Sequence, residues 1–328
     1  MMRRTFLASA AWLAAATGWQ AVSGAALAQE SWPARPLRLI VAFAPGSGND
    51  VIARLLAPKL AEALGQPVTV ENRTGAGGMI GTDVVAKAAP DGYTIGLGTS
   101  SQLVMNPALF RSVPFDIDRD LTSVGLVSST PLVLVARKGG WPDLGALIAA
   151  ARANPGRITY GSAGNGSISH IVGESFRREA GIDILHVPYK GNGPAMADLL
   201  AGNIDLVFDG FSTAGQHHKT GAMRILATNG KRHAGYPDVP SFAEAGLPGY
   251  EAYTWNCLFA PRATPRLVIE RINRELNAAL AMPDIGARIA SFGAENLGGA
   301  TPAQADAFAA AQRARWIPAV RAMNIKVE

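Results

Sequence analysis

The sequence predicts an exported α/β protein built as two domains. Three observations carry that prediction: a leader pattern at the N-terminus, alternating strands and helices from about residue 37, and a length beyond the usual limit of one core. Arg3 and Arg4 precede an apolar run from Phe6 to Val22, and Ala26-Leu27-Ala28 offers a small-x-small cleavage site. Residues 1–28 are therefore expected to be a removable signal, with cleavage near Ala28. The run is rich in alanine and interrupted by Gly18 and Gln20, so an uncleaved anchor is the weaker alternative. Arg3-Arg4-Thr5-Phe6-Leu7 also fits a twin-arginine core, although Met2 stands where Ser or Thr is usual, and general export remains the other route.

The elements follow in order. Leu37 to Ala44 is nearly continuous apolar, as a strand buried on both faces should be. From Asp50 to Leu64, Val51, Ile52, Leu55, Leu56, Leu60 and Leu64 recur at helical spacing, and Pro58 is expected to kink or divide that helix. Pro67 to Glu71 reads as a strand, followed by a Gly-rich turn from Gly75 to Gly81, a short helix, and the strand Tyr93 to Leu97. A second series of strands begins near Leu132 and continues at Ile158–Tyr160, Leu185–Val187, Ile204–Phe208 and Arg224–Ala227. After Tyr253 there is one apolar strand, Leu258–Ala260, then helices at 265–281 and from 302 to about 323.

That tail is too poor in strands to stand alone, so it is expected to return to the first lobe. The boundaries are residues 29–130 plus 252–328 for lobe 1 and 131–251 for lobe 2. Two chain crossings make a hinge.

Removing residues 1–28 takes away two arginines and no acid, which lowers the formal charge from +5 to +3. A modest positive excess favours anionic ligands. The basic residues are scattered, and the densest cluster, Lys231-Arg232-His233, is brief, which argues against nucleic acid as a partner. Cys257 is the sole cysteine, so the chain has no internal disulfide and no lipid-bearing cysteine after the signal.

The most informative internal comparison sets 38–50 beside 157–170. Each is a strand, a loop of small residues and the start of a helix: Phe43-Ala44-Pro45-Gly46-Ser47-Gly48-Asn49 in one, Ser162-Ala163-Gly164-Asn165-Gly166-Ser167 leading to His170 in the other. Such junctions let a ligand approach backbone N–H groups and a helix dipole that favour negative charge. Neither loop contains Lys or Arg. A dipole contributes roughly 0.3–2 kcal/mol and each bond to a charged group about 1.5–3, whereas micromolar binding needs about 8. One loop is insufficient, and two closing together suffice. Asp50 is read as charging its own helix turn rather than touching an anion. Asp209 ends an apolar strand, where it either meets an amine or hydroxyl of a ligand or caps the turn through Phe211 and Ser212.

Familiar catalytic patterns fail. The dinucleotide fingerprint breaks at Val51, Ile80 and Ser169 in the three Gly-rich loops, so no cofactor is expected. The nucleophile elbow around Ser162 breaks at Tyr160, which leaves a Ser162/His170 esterase as a weak rival. His217 and His218 are adjacent and point apart, no zinc spacing occurs, and no metal site is expected. His186 reads as a strand or turn histidine.

Phe43 to Asp50 followed by Ala53-Arg54, Val70 to Gly78, Asp91-Gly92-Tyr93-Thr94, Tyr160 to Gly164, and His186-Val187-Pro188-Tyr189-Lys190-Gly191 together resemble the Bug receptors. These are extracytoplasmic solute-binding proteins of tripartite tricarboxylate transporters, and the resemblance runs from about Pro33 to Trp316. It implies a type II periplasmic binding protein, not an enzyme, whose α/β lobes close over a small carboxylate. The ligands it implies are di- and tricarboxylates, acidic amino acids or aromatic acids. Delivery would be to large and small membrane subunits, and a monomer is expected because the lobes must open and close. A receptor that signals to a membrane protein is the alternative.

Contacts carried over by resemblance are Gly46, Ser47, Asn49, Ser162, Gly164 and Ser167, flanked by Phe43, Ala44, Gly48, Ala163, Asn165 and His170, with Thr99, Ser100 and Asp209 as additions. Glu71, Asn72 and Arg73 are assigned to fixing the neighbouring loop. The family commonly has two successive glycines in the first loop; here Gly46 is followed by Ser47.

Overall fold

The computed structural model describes residues 32–110 and 112–322. The leader read at 1–28 lies outside them.

Among the described residues, ten strands form one continuous sheet: β1 (Leu37–Val41), β2 (Val68–Asn72), β3 (Thr94–Thr99), β4 (Leu121–Arg137), β5 (Thr159–Ser162), β6 (Leu185–Pro188), β7 (Leu206–Gly210), β8 (Met223–Thr228), β9 (Tyr253–Pro261) and β10 (Glu295–Asn296). The order is β2-β1-β3-β9-β4-β7-β5-β6, with β8 and β10 also paired to β4. β4 belongs to both halves. It pairs with β9 from Leu121 to Pro131, then with β7 and β8 from Leu132 to Arg137. The ladder to the returning chain persists at the changeover, where Leu132 N–H donates to Ala252 O at 2.8 Å. The molecule is thus two α/β lobes joined where β4 and the chain entering β9 run side by side.

Each half-sheet is covered on both faces, as parallel strands with crossover helices require. In the first half, Leu37, Leu39 and Val41 pack with Ile52, Leu56 and Leu60 of helix Gly48–Leu64 and with Ile272 and Leu276 of helix Arg266–Leu280. In the second, Tyr160, Phe176, Phe208 and Phe242 fill one face, and Val133, Val135, Leu199 and Val207 the other.

Three details depart from the sequence reading. Helix Gly48–Leu64 runs unbroken through Pro58. Pro58 sits on the exposed face, so the carbonyl that its missing N–H leaves free is open to solvent rather than stranded in the core. The strand expected near Leu132 begins eleven residues earlier, at Leu121, since Gly125, Pro131 and five hydroxyl residues disguise it. Pro131 is tolerated because it stands where β4 changes partners. An additional helix, Pro283–Ser291, starts with proline at its first turn.

Candidate functional site

Strand register places the two Gly/Ser loops at the hinge. β3 runs antiparallel to β9, with Thr99 opposite Asn256, and β1 lies parallel to β3, so the loop after β1 emerges beside the crossing. β7 runs antiparallel to β4 with Gly210 opposite Leu132, and β5 is parallel to β7, so the loop after β5 emerges at the same crossing from the other lobe. The carboxyl ends of parallel strands are where open α/β sheets bind ligands. By contrast, a depression of about 620 Å³ lined by Arg137, Lys138, Lys219 and Arg224 lies at the far end of β4, away from both loops.

The first loop is built around Asp50. Its Oδ2 accepts Gly46 N–H at 2.9 Å and Arg54 Nε at 2.9 Å, while its Oδ1 accepts Asn72 Nδ2 at 2.8 Å. The same Asn72 amide also donates to Phe43 O at 2.9 Å. Burial opposes ionisation of Asp50, but Arg54, the Gly46 N–H and Asn72 outweigh it and hold the carboxyl below its ordinary range. Gly46 adopts φ +81°, in the left-handed region. Asn72 thus fixes the loop. Glu71 instead takes a bidentate pair from Arg38 at 2.7 and 2.9 Å, which with Arg73 draws it down to about 2 against the effect of burial.

The loop is tied to the crossing strands by buried amides. Asn49 Nδ2 donates to Asn256 Oδ1 at 2.8 Å, and Asn256 Nδ2 donates to Ser128 Oγ at 3.0 Å. Ser100 Oγ lies 3.1 Å from Thr254 Oγ1 on β9, and Thr99 N–H donates to Gln102 Oε1 at 2.9 Å.

The second loop repeats the design. Ser47 and Ser167 are the N-caps of helices Gly48–Leu64 and Ile168–Glu179, accepting from Asp50 N and His170 N, each at 3.3 Å. In both helices the next two N–H groups, of Gly48 and Asn49 and of Ile168 and Ser169, have no protein acceptor among the described residues. Two unsatisfied donor pairs at helix N-termini thus flank one hinge, and such donors bind anions. Gly164 has φ +118°, and a Cβ there would lie 2.9 Å from Tyr189 O.

Behind this loop stands a network that the sequence reading did not assemble. Ala163 N–H donates to Ser169 Oγ at 2.9 Å, Ser169 Oγ to Asn192 Oδ1 at 3.2 Å, and Asn192 Nδ2 to Asp209 Oδ1 at 3.0 Å. Gly210 N–H donates to Asp209 Oδ1 as well, at 2.8 Å, so Asp209 caps its own turn on that side. Its other oxygen is buried without a partner, and burial raises its pKa. The hydroxyl of Ser162 lies 2.6 Å from His186 Nε2, so its imidazole neighbour is His186 rather than His170. His170 Nδ1 accepts Gly166 N–H at 3.1 Å. The two rings stack at 3.9 Å and 6°, and burial lowers both to about 4, with His170 contributing to the lowering at His186.

The structure gathers the expected residues 43–49, Thr99 and Ser100 on one side of the hinge and 162–167, His170 and Asp209 on the other. Asn165 is exposed. Residues missed by sequence reasoning are Asn256, Ser128, Ser169, Asn192 and Asn106. The last donates to Gly77 O at 2.7 Å, and its buried, unpartnered carbonyl oxygen stands 3.4 Å from where a Cβ on Gly166 would sit. It therefore meets the second loop from the first lobe. Ser169 lies within the 157–170 segment, and the other four belong to no recognisable local motif, since each acts from a different element.

Two α/β lobes, a double crossing and paired strand-end loops define a two-lobed solute-binding protein. The particular family follows from the sequence, because residues 52–325 match the tripartite tricarboxylate transporter family receptor. The chain belongs to that family. It is 41% identical over 290 residues to the UPF0065 protein in the tcbD-tcbE intergenic region of Pseudomonas sp. strain P51, covering 88% of this chain and 86% of that protein. It is 39% identical over 307 residues to BugT of Bordetella pertussis, covering 93% and 94%. Among solved structures it is similar to Rpa4515 of R. palustris with adipate, at 33% identity and TM-score 0.83, covering 90% of this chain and 99% of that one. It is also similar to MatC of Rhodopseudomonas palustris with bound malate, at 32% identity and TM-score 0.80, covering 88% and 99%.

Proposed function

We propose that this chain is a periplasmic receptor that captures a small carboxylate between lobe 1 (29–130 plus 252–328) and lobe 2 (131–251) and hands it, unchanged, to the membrane subunits of a tripartite tricarboxylate transporter. The observation that carries the reading is the matched pair of Ser-capped helix N-termini, each with two unsatisfied N–H groups, on opposite sides of the hinge. Gly46, Ser47, Gly48 and Asn49 supply one jaw, and Ala163, Gly164 and Ser167 the other. Ser162 supports its loop from behind. Ser100, which lies beside Thr254, is assigned to the floor together with Thr99 and Asp209. Neutral donors suit reversible capture, because a carboxylate held by hydrogen bonds and dipoles is released when the lobes part. The relatives with adipate and malate support a dicarboxylate as the ligand.

The buried Ser162 hydroxyl, wholly enclosed, gives a substrate no approach in this conformation, which weakens the esterase alternative. The test is a thermal-shift screen of the purified mature protein, unfolded and refolded to strip ligand, against a carboxylate panel including adipate and malate. Binding to the folded state alone raises Tm by mass action. Absence of a shift with every acid overturns the reading, as does turnover of activated esters that Ser162→Ala abolishes.

A further inference from the structure

Ser162 closes β5 where the second loop begins. Its hydroxyl accepts Gly164 N–H at 3.1 Å and lies 2.6 Å from His186 Nε2. Two residues further on, Gly166 N–H donates to His170 Nδ1 at 3.1 Å. The turn 164–166 is therefore held at one end directly by His170, on helix Ile168–Glu179, and at the other by Ser162, whose hydroxyl is in turn held by His186 on β6. The rings lie parallel, 3.9 Å apart, and Tyr160 extends the stack at 4.9 Å from His186.

We infer that His186 and His170 are positioning residues that, as a stacked neutral pair, hold the second loop in its capture geometry, and that protonation of the pair releases the loop and its ligand. The inference rests on the receptor reading above. Hydrogen-bond direction demands the neutral state at His170; at His186 the Ser162 hydroxyl can donate or accept, and there it is the stacked partner ring that opposes a second charge. His170 Nδ1 accepts, so its proton resides on Nε2, and a second proton on Nδ1 would set donor against donor at Gly166. Two cationic rings at 3.9 Å also repel, so the pair titrates as a coupled unit.

The groups packed around the stack offer little counter-charge. Tyr160 is neutral. Glu174, one helical turn beyond His170, has its oxygens occupied: Oε1 accepts Tyr160 OH at 2.6 Å and Oε2 accepts Arg177 Nε at 3.0 Å. Glu174 still favours protonation of His186, but burial, reinforced there by His170, outweighs it, and both imidazoles are pushed down to about 4.

The test uses uniformly 15N-labelled mature protein titrated from about pH 7.5 to about pH 3, following imidazole nitrogens and the Gly164 and Gly166 amides. Calorimetric titrations with adipate and with malate accompany it at each pH. The expected result is that both imidazoles titrate well below the ordinary histidine range and the two loop amides move with the same midpoint. The affinity of a bound acid falls by at least about tenfold across that midpoint. His186→Gln, folded by circular dichroism, weakens binding at neutral pH and flattens the profile. Should it fail to fold, Ser162→Ala breaks the same contact from the other side and is read in its place. Ordinary imidazole midpoints, loop amides that ignore the titration, or a variant with wild-type affinity and pH profile each overturn the inference. If neither acid binds at any pH, it is the receptor reading that fails for these ligands, and the loop amides alone decide the positioning role.

Discussion

The side-chain amide of Asn49 donates to Asn256 Oδ1 across 2.8 Å, and the two residues are 207 positions apart in the chain. This bond fastens the first ligand loop to β9, and Asn256 passes it on to Ser128 of β4 at 3.0 Å. The loop and both hinge strands are thereby one hydrogen-bonded unit. Asn256→Ala leaves Asn49 and Ser128 unsatisfied in a buried setting, which costs about 1–3 kcal/mol for each stranded group. Urea unfolding should show the loss, and calorimetry with malate and adipate should show weaker capture. Wild-type stability in the variant counts against the unit.

Asp50 is the keystone of the same loop, because one carboxylate holds the Gly46 N–H, Arg54 and Asn72. Its pKa is lowered in the folded state, so the stability it contributes is complete above its unfolded value and drains away as pH falls through the folded one. Asp50→Ala should destabilise by about 2–4 kcal/mol, through an unpaired amide, a free guanidinium and a relaxed glycine turn. Asp50→Asn keeps the shape and should lose less. Equal stability of the two variants in urea melts would mean that shape, not charge, matters little at this position.

The sequence made the loops legible because they are local. A strand, a run of glycine and serine, and an apolar helix stripe occupy thirteen or fourteen consecutive positions, and the Ser47 and Ser167 caps fall where the pattern puts them. The network behind the loops was not legible. Asn192 and Ser169 meet only because β5, β6 and β7 lie in one sheet, and Asn256 reaches Asn49 only through the return of the chain to the first lobe. β4 escaped for a related reason. Its hydroxyls at Ser128, Ser129 and Thr130 look like a turn, yet they are the polar stretch where the strand passes between lobes.

Folding should also be acid-sensitive above the carboxylate range. For His170 and His186 the folded pKa lies near 4 against an ordinary value of 6.5. Between those limits the unfolded chain binds the protons and the native state does not, so stability falls as pH drops from 6.5 to about 4 and then levels off with respect to these groups. The loss is of order 3 kcal/mol per ring at most. Urea midpoints measured through this window should decline, and the decline should be shallower in His186→Gln. A flat profile between pH 6.5 and about 5 would contradict the burial of the pair.

Gly164 offers the sharpest separation of loop geometry from chemistry. At φ +118° an L residue is strained, and a Cβ there would lie 2.9 Å from the Tyr189 carbonyl, which the backbone of the neighbouring segment cannot readily withdraw because Tyr189 N–H is bonded to Ser162 O at 3.0 Å. Gly164→Ala should therefore cost about 1–3 kcal/mol and move the loop, with capture weakened by at least about tenfold. Gly46 makes the contrasting case. It also has positive φ, +81°, but its Cβ position has no atom within 4 Å. Gly46→Ala should thus carry only the conformational strain of about 1 kcal/mol, so the second lobe's loop should tolerate substitution less than the first. The reverse order in paired calorimetric titrations would place the tighter jaw on the first lobe.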